Sequence, residues 1–436
     1  MKFPRTQAGF IPCSRPVKAL SQLAKRTTEP PISWLMREGL ERPGLISLAA
    51  GFTDNPTLPV TETRTIIESL LKGKSSSSSL QYGTTYGDDP LRKLTAQRLT
   101  QMDKCSEQSK NYHPDRFLIT HGSQQLLYIL NEVLFDPGDI VLIEDPSYFV
   151  YLGIMQSHGV RGKGIQMEPD GLDLLCLETT LNTLKKSGEL ARLKALYLVS
   201  YHSNPTGVTT CAAKKEAALK ILKSFEKAAG HPIYLIEDAA YRELSFTGKD
   251  TPSALSFNNA SDRVIYTSTY SKPFATGIRV GYGLLPEPVL TAATRVKGNH
   301  DFGTANFLQQ ILSNAISSGK YMEHIQKLRK RYASKARTMT RACEKHFPEK
   351  VKWESPEGGL YLWVNLPKKI KTGLKSKLFK QALKQQVLYV PGNLCYCDDD
   401  TRPKPNHQMR LSFGNASIKD IEEGITRLGR AIKRVM

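Results

Sequence analysis

Six short apolar runs between about residues 115 and 285 constrain this chain more than any other feature. They are Phe117–Thr120, Ile140–Ile143, Ala195–Ser200, Ile233–Ile236, Arg263–Thr267 and Val280–Leu284, with helical stretches between them. A strand that faces water on one side alternates apolar and polar residues. These runs do not alternate, so both of their faces are covered. The pattern predicts a mostly parallel sheet flanked by helices. Ligands of such sheets collect beyond the carboxyl ends of the strands, so function is expected in the loops that follow these runs.

After about residue 320 the character changes. A long basic helix over Tyr321–His346 leads to a strand-like run at Gly359–Asn365 and a Lys-rich helix over 368–384. Strands at Val387–Val390 and Met409–Phe413 and a last helix, Ile418–Val435, follow. We expect an α/β chain of two domains, because 436 residues are too many for one simple core. The large domain is placed at 60–320, and a smaller α/β domain at 1–59 with 321–436. Ser75–Ser79 reads as a flexible surface loop.

Hydrophobic residues make up 40% and charged residues 23%, as in an ordinary soluble protein. No apolar run approaches the ~20 residues of a membrane helix. Seven scattered cysteines argue for a reducing compartment rather than a disulfide framework. Cys395 and Cys397 stand beside Asp398, Asp399 and Asp400 but lack a second ligand cluster at zinc-like spacing, so no metal is expected. The formal charge is +20. Its Lys and Arg spread over helical stretches with acids interspersed and no aromatic-interleaved basic motif, which reads as a solvated surface, not a nucleic-acid site. The first 28 residues hold no acid and have the composition of a transit peptide, but Pro4, Pro12 and Pro16 spoil an amphipathic helix. A cytoplasmic location is expected.

The chemistry concentrates in Thr269-Tyr-Ser-Lys272-Pro-Phe-Ala-Thr-Gly-Ile-Arg279. An amine in a hydroxyl-rich loop past an apolar strand can condense with an aldehyde, and an Arg seven residues on can pair with a phosphate. Asp238 ends the run Tyr234–Asp238 and is followed by Tyr241; a helix N-cap after the strand is its lesser alternative. Asn204-Pro-Thr-Gly207 is also a good turn sequence. Gly122-Ser123-Gln124 opens a helix whose exposed N–H groups suit a phosphate, though a Ser N-cap is the plain alternative. Glu144-Asp-Pro-Ser-Tyr148 follows the next run, and Tyr148 reads otherwise as a core residue. Tyr82 lies in a loop before a helix. Arg410 stands near the start of a strand in His407-Gln-Met-Arg410, and Leu45-Ile-Ser-Leu-Ala-Ala-Gly51 precedes everything else.

In this order the segments closely resemble those of class I/II aminotransferases, enzymes of pyridoxal 5′-phosphate (PLP) fold type I, from about residue 15 to the C-terminus. The resemblance implies PLP held on Lys272 as a Schiff base. It implies Asp238 on the pyridine nitrogen, Tyr241 and Asn204 on the ring oxygen, and Tyr148 stacked on the ring. Gly122, Ser123, Gln124, Thr269, Ser271 and Arg279 would hold the phosphate, joined by Tyr82 of the neighbouring subunit in a homodimer with composite sites. Arg410 would bind the substrate carboxylate bidentately, with Asn204 and the backbone of Gly51 lining that pocket. Lys272 would move the α-proton, and ping-pong exchange with a 2-oxo acid such as 2-oxoglutarate, through pyridoxamine phosphate, would follow.

Within the family the chain is most similar to the aminoadipate, aromatic and kynurenine aminotransferases. Aminoadipate-type members carry an Arg in an early Pro-Ile-Arg segment, where this chain has Pro31-Ile32-Ser33-Trp34. The departure favours an aromatic or large apolar amino acid, with Arg37 left as a possible substitute. The same residues also serve β-lyase, decarboxylase or cyclopropane-forming chemistry. A PLP-sensing regulator without its DNA-binding domain is the distant alternative.

Overall fold

The computed structural model describes residues 19–436 apart from 73–75, 107–108 and 259. Cys13 and most of the basic leader lie outside the described residues. Strand β1 (Ile46–Ser47) comes first. Then β2 (Phe117–Thr120), β3 (Ile140–Asp145), β4 (Arg161–Glu168), β5 (Gly171–Leu172), β6 (Leu193–Val199), β7 (Tyr234–Asp238), β8 (Val264–Thr269) and β9 (Gly281–Leu284) form one sheet. Its spatial order is β2-β9-β8-β7-β6-β3-β4-β5. The five strands from β8 to β4 run parallel. Along β3, Val141 and Ile143 enter one core while Ile140 and Leu142 enter the other. Residues two apart share a face of a strand, so the unbroken apolar runs are what a sheet with two buried faces requires.

Strand β9 departs from the series, pairing antiparallel with both β2 and β8. A parallel crossover needs a dozen or more residues and usually a helix. The connection 270–280 is too short for one, and it folds back instead. This tight return carries Lys272. Strand β4, Arg-Gly-Lys-Gly-Ile-Gln-Met-Glu, was invisible as an apolar run because only Gly162 and Ile165 are buried.

Strands β10 (Lys352–Trp353), β11 (Tyr361–Asn365), β12 (Val387–Leu388), β13 (Val390–Pro391) and β14 (Gln408–Ser412) follow. Four of them form an antiparallel sheet, β10-β11-β14-β13, while β12 pairs parallel with β1. The expected strand at Val387–Val390 is therefore divided between two sheets. The Lys-rich helix is shorter than expected, Lys377–Lys384, because the side chain of Asn406 accepts from the N–H of Gly373 (2.8 Å) and ties 372–373 into a turn. Ser76–Ser79 is a helical turn rather than a loop, with Ser79 buried and its hydroxyl donating to Gln310 at 2.7 Å.

Candidate active site

A cavity of about 180 Å³ opens beyond the carboxyl ends of β2, β3, β6, β7 and β8. Its lining contains Gly122, Ser123, Gln124, Tyr148, Asn204, Asp238, Tyr241, Thr269, Ser271, Lys272 and Arg279, all singled out in the sequence. Val199, Ala240 and Thr276 complete it.

At one end the helix Gly122–Leu134 begins with no side-chain cap, so the free N–H groups and positive pole of its first turn are left to the cavity. Gly122 has φ +73°, and a Cβ there would lie 3.1 Å from Nη2 of Arg279. Only a glycine lets the guanidinium come so close. Arg279 itself is exposed and sits in the left-handed region at φ +50°. It donates to the Ser271 hydroxyl at 3.4 Å, and the backbone N–H of Ser271 donates to Thr269 Oγ1 at 3.1 Å. Arg279 has no carboxylate partner among the described residues. A cation, hydroxyls and a helix N-terminus around one space form an anion seat.

Lys272 projects from the β8–β9 return, half-buried, and its Nζ donates to the carbonyl of Gly51 at 2.8 Å. Burial lowers its pKa, Tyr361 acts the other way, and Arg410 and Arg279 lower it further. Asp238, the last residue of β7, is only 3% exposed. Oδ2 accepts from the Tyr197 hydroxyl at 2.9 Å and Oδ1 from the N–H of Ala240 at 3.1 Å. Burial raises the carboxyl to about 6, and these two donors hold it from rising further.

Opposite stands a wall from elsewhere in the chain. Arg410 on β14 is 1% exposed. Its Nη1 donates to Asn204 Oδ1 and its Nη2 to the carbonyl of Ala49, each at 2.6 Å. The guanidinium carbon lies 4.3 Å from the ring centre of Tyr361 and 5.3 Å from that of Phe149. No carboxylate faces Arg410 among the described residues. Tyr241 meets Tyr361 hydroxyl to hydroxyl at 3.0 Å.

Tyr82 is not brought to the cavity; it is 83% exposed and packs edge-on against Phe302, with ring centres 5.6 Å apart. Arg37 is exposed and paired with Glu29 at 3.3 Å. Cys395 and Cys397 are buried, their thiols pushed up to about 12 by burial, and no described group of His, Cys, Asp or Glu could hold a metal ion. Sequence reasoning missed Tyr197, Tyr361 and Ala49. Tyr197 sits inside an apolar strand, where nothing separates it from a core residue. Tyr361 lay in the strand-like run Gly359–Asn365 with nothing to set it apart from core, and Ala49, within the segment Leu45–Gly51, contributes a backbone oxygen.

Residues 43–428 match the family described as aminotransferase class I and II. The aromatic-amino-acid aminotransferase 1 of Thermococcus litoralis is 30% identical over 91% of this chain and 90% of its own length. The 2-aminoadipate transaminase of Thermus thermophilus is 29% identical over 91% and 92%. A Pyrococcus horikoshii kynurenine aminotransferase, solved with PMP, superposes with a TM-score of 0.86 at 31% identity, covering 95% of this chain and 97% of that one.

Proposed function

Because this chain belongs to the class I and II aminotransferases, we propose that it moves the amino group of an aromatic or large apolar L-amino acid to a 2-oxo acid such as 2-oxoglutarate, in ping-pong fashion. One observation carries the reading of the site. Arg410 is a buried cation with no carboxylate opposite it among the described residues, and a buried charge calls for a partner. An α-carboxylate completes it, in fork geometry with Nη1 and Nη2.

The donor set fits pyridoxal phosphate. The anion seat of Arg279, Ser271, Thr269, Ser123 and the free helix end suits its phosphate, and buried Asp238 suits a ring nitrogen that carries a proton. When bound, the cofactor supplies an aldehyde for the amine and a ring that withdraws electrons from the α-carbon. Asp238 holds the proton on the ring nitrogen. Tyr241 and Asn204 would donate to the ring oxygen, and Tyr148, also in the cavity lining, would cover a ring face. Lys272 Nζ, made less basic by burial, would take the proton from the substrate α-carbon and give it back two bonds away, across the amino nitrogen. Arg410 with Asn204 and Gly51 orients the substrate so that this proton faces Lys272. Tyr82, exposed in the single chain, reaches the phosphate of a second copy in a homodimer.

The side-chain preference rests on what surrounds the site. Among the described residues its three cations, Lys272, Arg279 and Arg410, all have assigned work, and Arg37 is engaged with Glu29. Rings of Tyr148, Phe149 and Tyr361 lie alongside. A screen of amino donors against fixed 2-oxoglutarate, followed by the absorbance change of the bound cofactor, tests this. Phenylalanine, tyrosine or leucine should react at least about tenfold faster than aspartate. Product formed at full rate without any oxo acid would sink the transaminase reading.

A further inference from the structure

Tyr361 touches both walls of the site. It lies on β11, and the register pairs Tyr361 with Ser412 and Trp363 with Arg410 on β14. Tyr361 and Arg410 are thus diagonal neighbours on one face of the small sheet, within reach of each other. The Tyr361 ring lies 4.3 Å under the guanidinium. Its hydroxyl reaches the other way, to that of Tyr241 at 3.0 Å. A Cβ on residue 51 would lie 2.6 Å from that hydroxyl, so the glycine leaves the room it occupies. Tyr361 is 2% exposed and cannot swing away.

We propose that Tyr361 is a positioning residue with two separable contacts: its ring face fixes the plane of Arg410, and its hydroxyl fixes the hydroxyl of Tyr241. This rests on the reading that Arg410 binds the substrate carboxylate and Tyr241 the ring oxygen of the cofactor. Hydrogen bonds from Nη1 and Nη2 each use one of the two N–H groups on that nitrogen, whereas Nε has no partner among the described residues. A planar ion held at two atoms still tilts about the line between them; a ring beneath it removes that freedom. The hydroxyl contact is a matter of proton direction. Each phenol has one proton. If Tyr361 donates to Tyr241, the Tyr241 proton is free to point into the cavity. Without the Tyr361 hydroxyl, the Tyr241 hydroxyl has no partner among the described residues.

The two contacts predict two different failures. Tyr361→Phe keeps the ring and loses the hydroxyl, so 3-phenylpropanoate, a carboxylate with no amine to react, should bind the cofactor-loaded protein within twofold of wild type. The pH at which the bound cofactor's absorbance changes should rise by about half a unit as the Tyr241 donor weakens, and kcat should fall with KM unchanged. Tyr361→Leu loses the ring as well. There 3-phenylpropanoate should bind about tenfold more weakly, equivalent to about 1.4 kcal/mol, with KM raised for amino and oxo acids alike. If Tyr361→Leu does not fold, Tyr361→Met replaces it. The inference is overturned if Tyr361→Phe weakens 3-phenylpropanoate as much as the aliphatic variant does, or if it leaves the absorbance transition where wild type has it. A wild type that takes up no pyridoxal phosphate would overturn the underlying reading instead, and is recognised before any variant is made.

Discussion

The two walls of the cavity are built by opposite means. On the large-sheet side, Gly122–Gln124, Asp238–Tyr241 and Thr269–Arg279 are short contiguous segments, each at or just past the end of its own strand. On the other side, Ala49 and Arg410 meet across 361 positions of sequence, with Tyr361 beside them. The buried charges are also treated differently. Asp238 receives two hydrogen bonds and still has its carboxyl raised to about 6, while Arg410, which donates two, rests on aromatic faces with no acid opposite it among the described residues. The first wall handles charge with donors from its own sheet and the loop after it, the second with aromatic faces and with acceptors from distant segments.

The sharpest way to break this comparison is at Lys272, which stands between the walls. Lys272→Ala should lower turnover about 10⁴-fold and abolish the absorbance of attached cofactor; a variant with near-normal turnover would remove the centre of the scheme. Next comes the second wall alone. Arg410→Leu should reduce kcat/KM about 10³-fold, the range for removing one partner of a buried hydrogen-bonded ion pair, yet leave cofactor affinity within a few-fold. Equal loss of both would mean that the walls do not act separately.

Asp238 sharpens the comparison from the first wall. Its folded carboxyl titrates near 6 against 3.8 for the ordinary group. A raised folded pKa means full stability below about pH 4, lost as pH rises through about 6. The cofactor-free protein should therefore lose up to roughly 3 kcal/mol across that window. Asp238→Asn should flatten the loss, so the apo variant melts higher than wild type at pH 7 while being nearly inactive; parallel melting curves from pH 4 to 7 would contradict this. Smaller still is Arg37→Ala. An exposed pair such as Arg37–Glu29 contributes about 0–1 kcal/mol, and KM for acidic and aromatic donors should stay within twofold. A selective loss of acidic donors would make Arg37 a side-chain receptor after all.

How much was legible follows the same division. The unbroken runs of β3, β6, β7 and β8 announced a doubly covered sheet, and the loop after each strand carried its motif. Strand β4 was missed because its polar alternation hides one buried edge, and the direction of β9 was decided by a connection too short to cross over. Arg410 was legible only through resemblance, since one Arg in a strand has no local signature. Tyr197 and Tyr361 were not legible at all. A tyrosine within an apolar strand looks like core until a carboxylate or a second hydroxyl is placed against it.

By itself the sequence determined the class of sheet, the strand-end loops and the set of groups around Lys272, because strand period and loop chemistry are local and act over a few residues. Only the tertiary structure decided that Arg410 would be buried with no acid beside it among the described residues, that Gly51 would leave room for the Tyr361 hydroxyl, and that Tyr82 and Arg37 would stand outside the cavity. Those outcomes depend on which distant surfaces pack together. Burial and the pairing of charges are properties of that packing, not of any one segment.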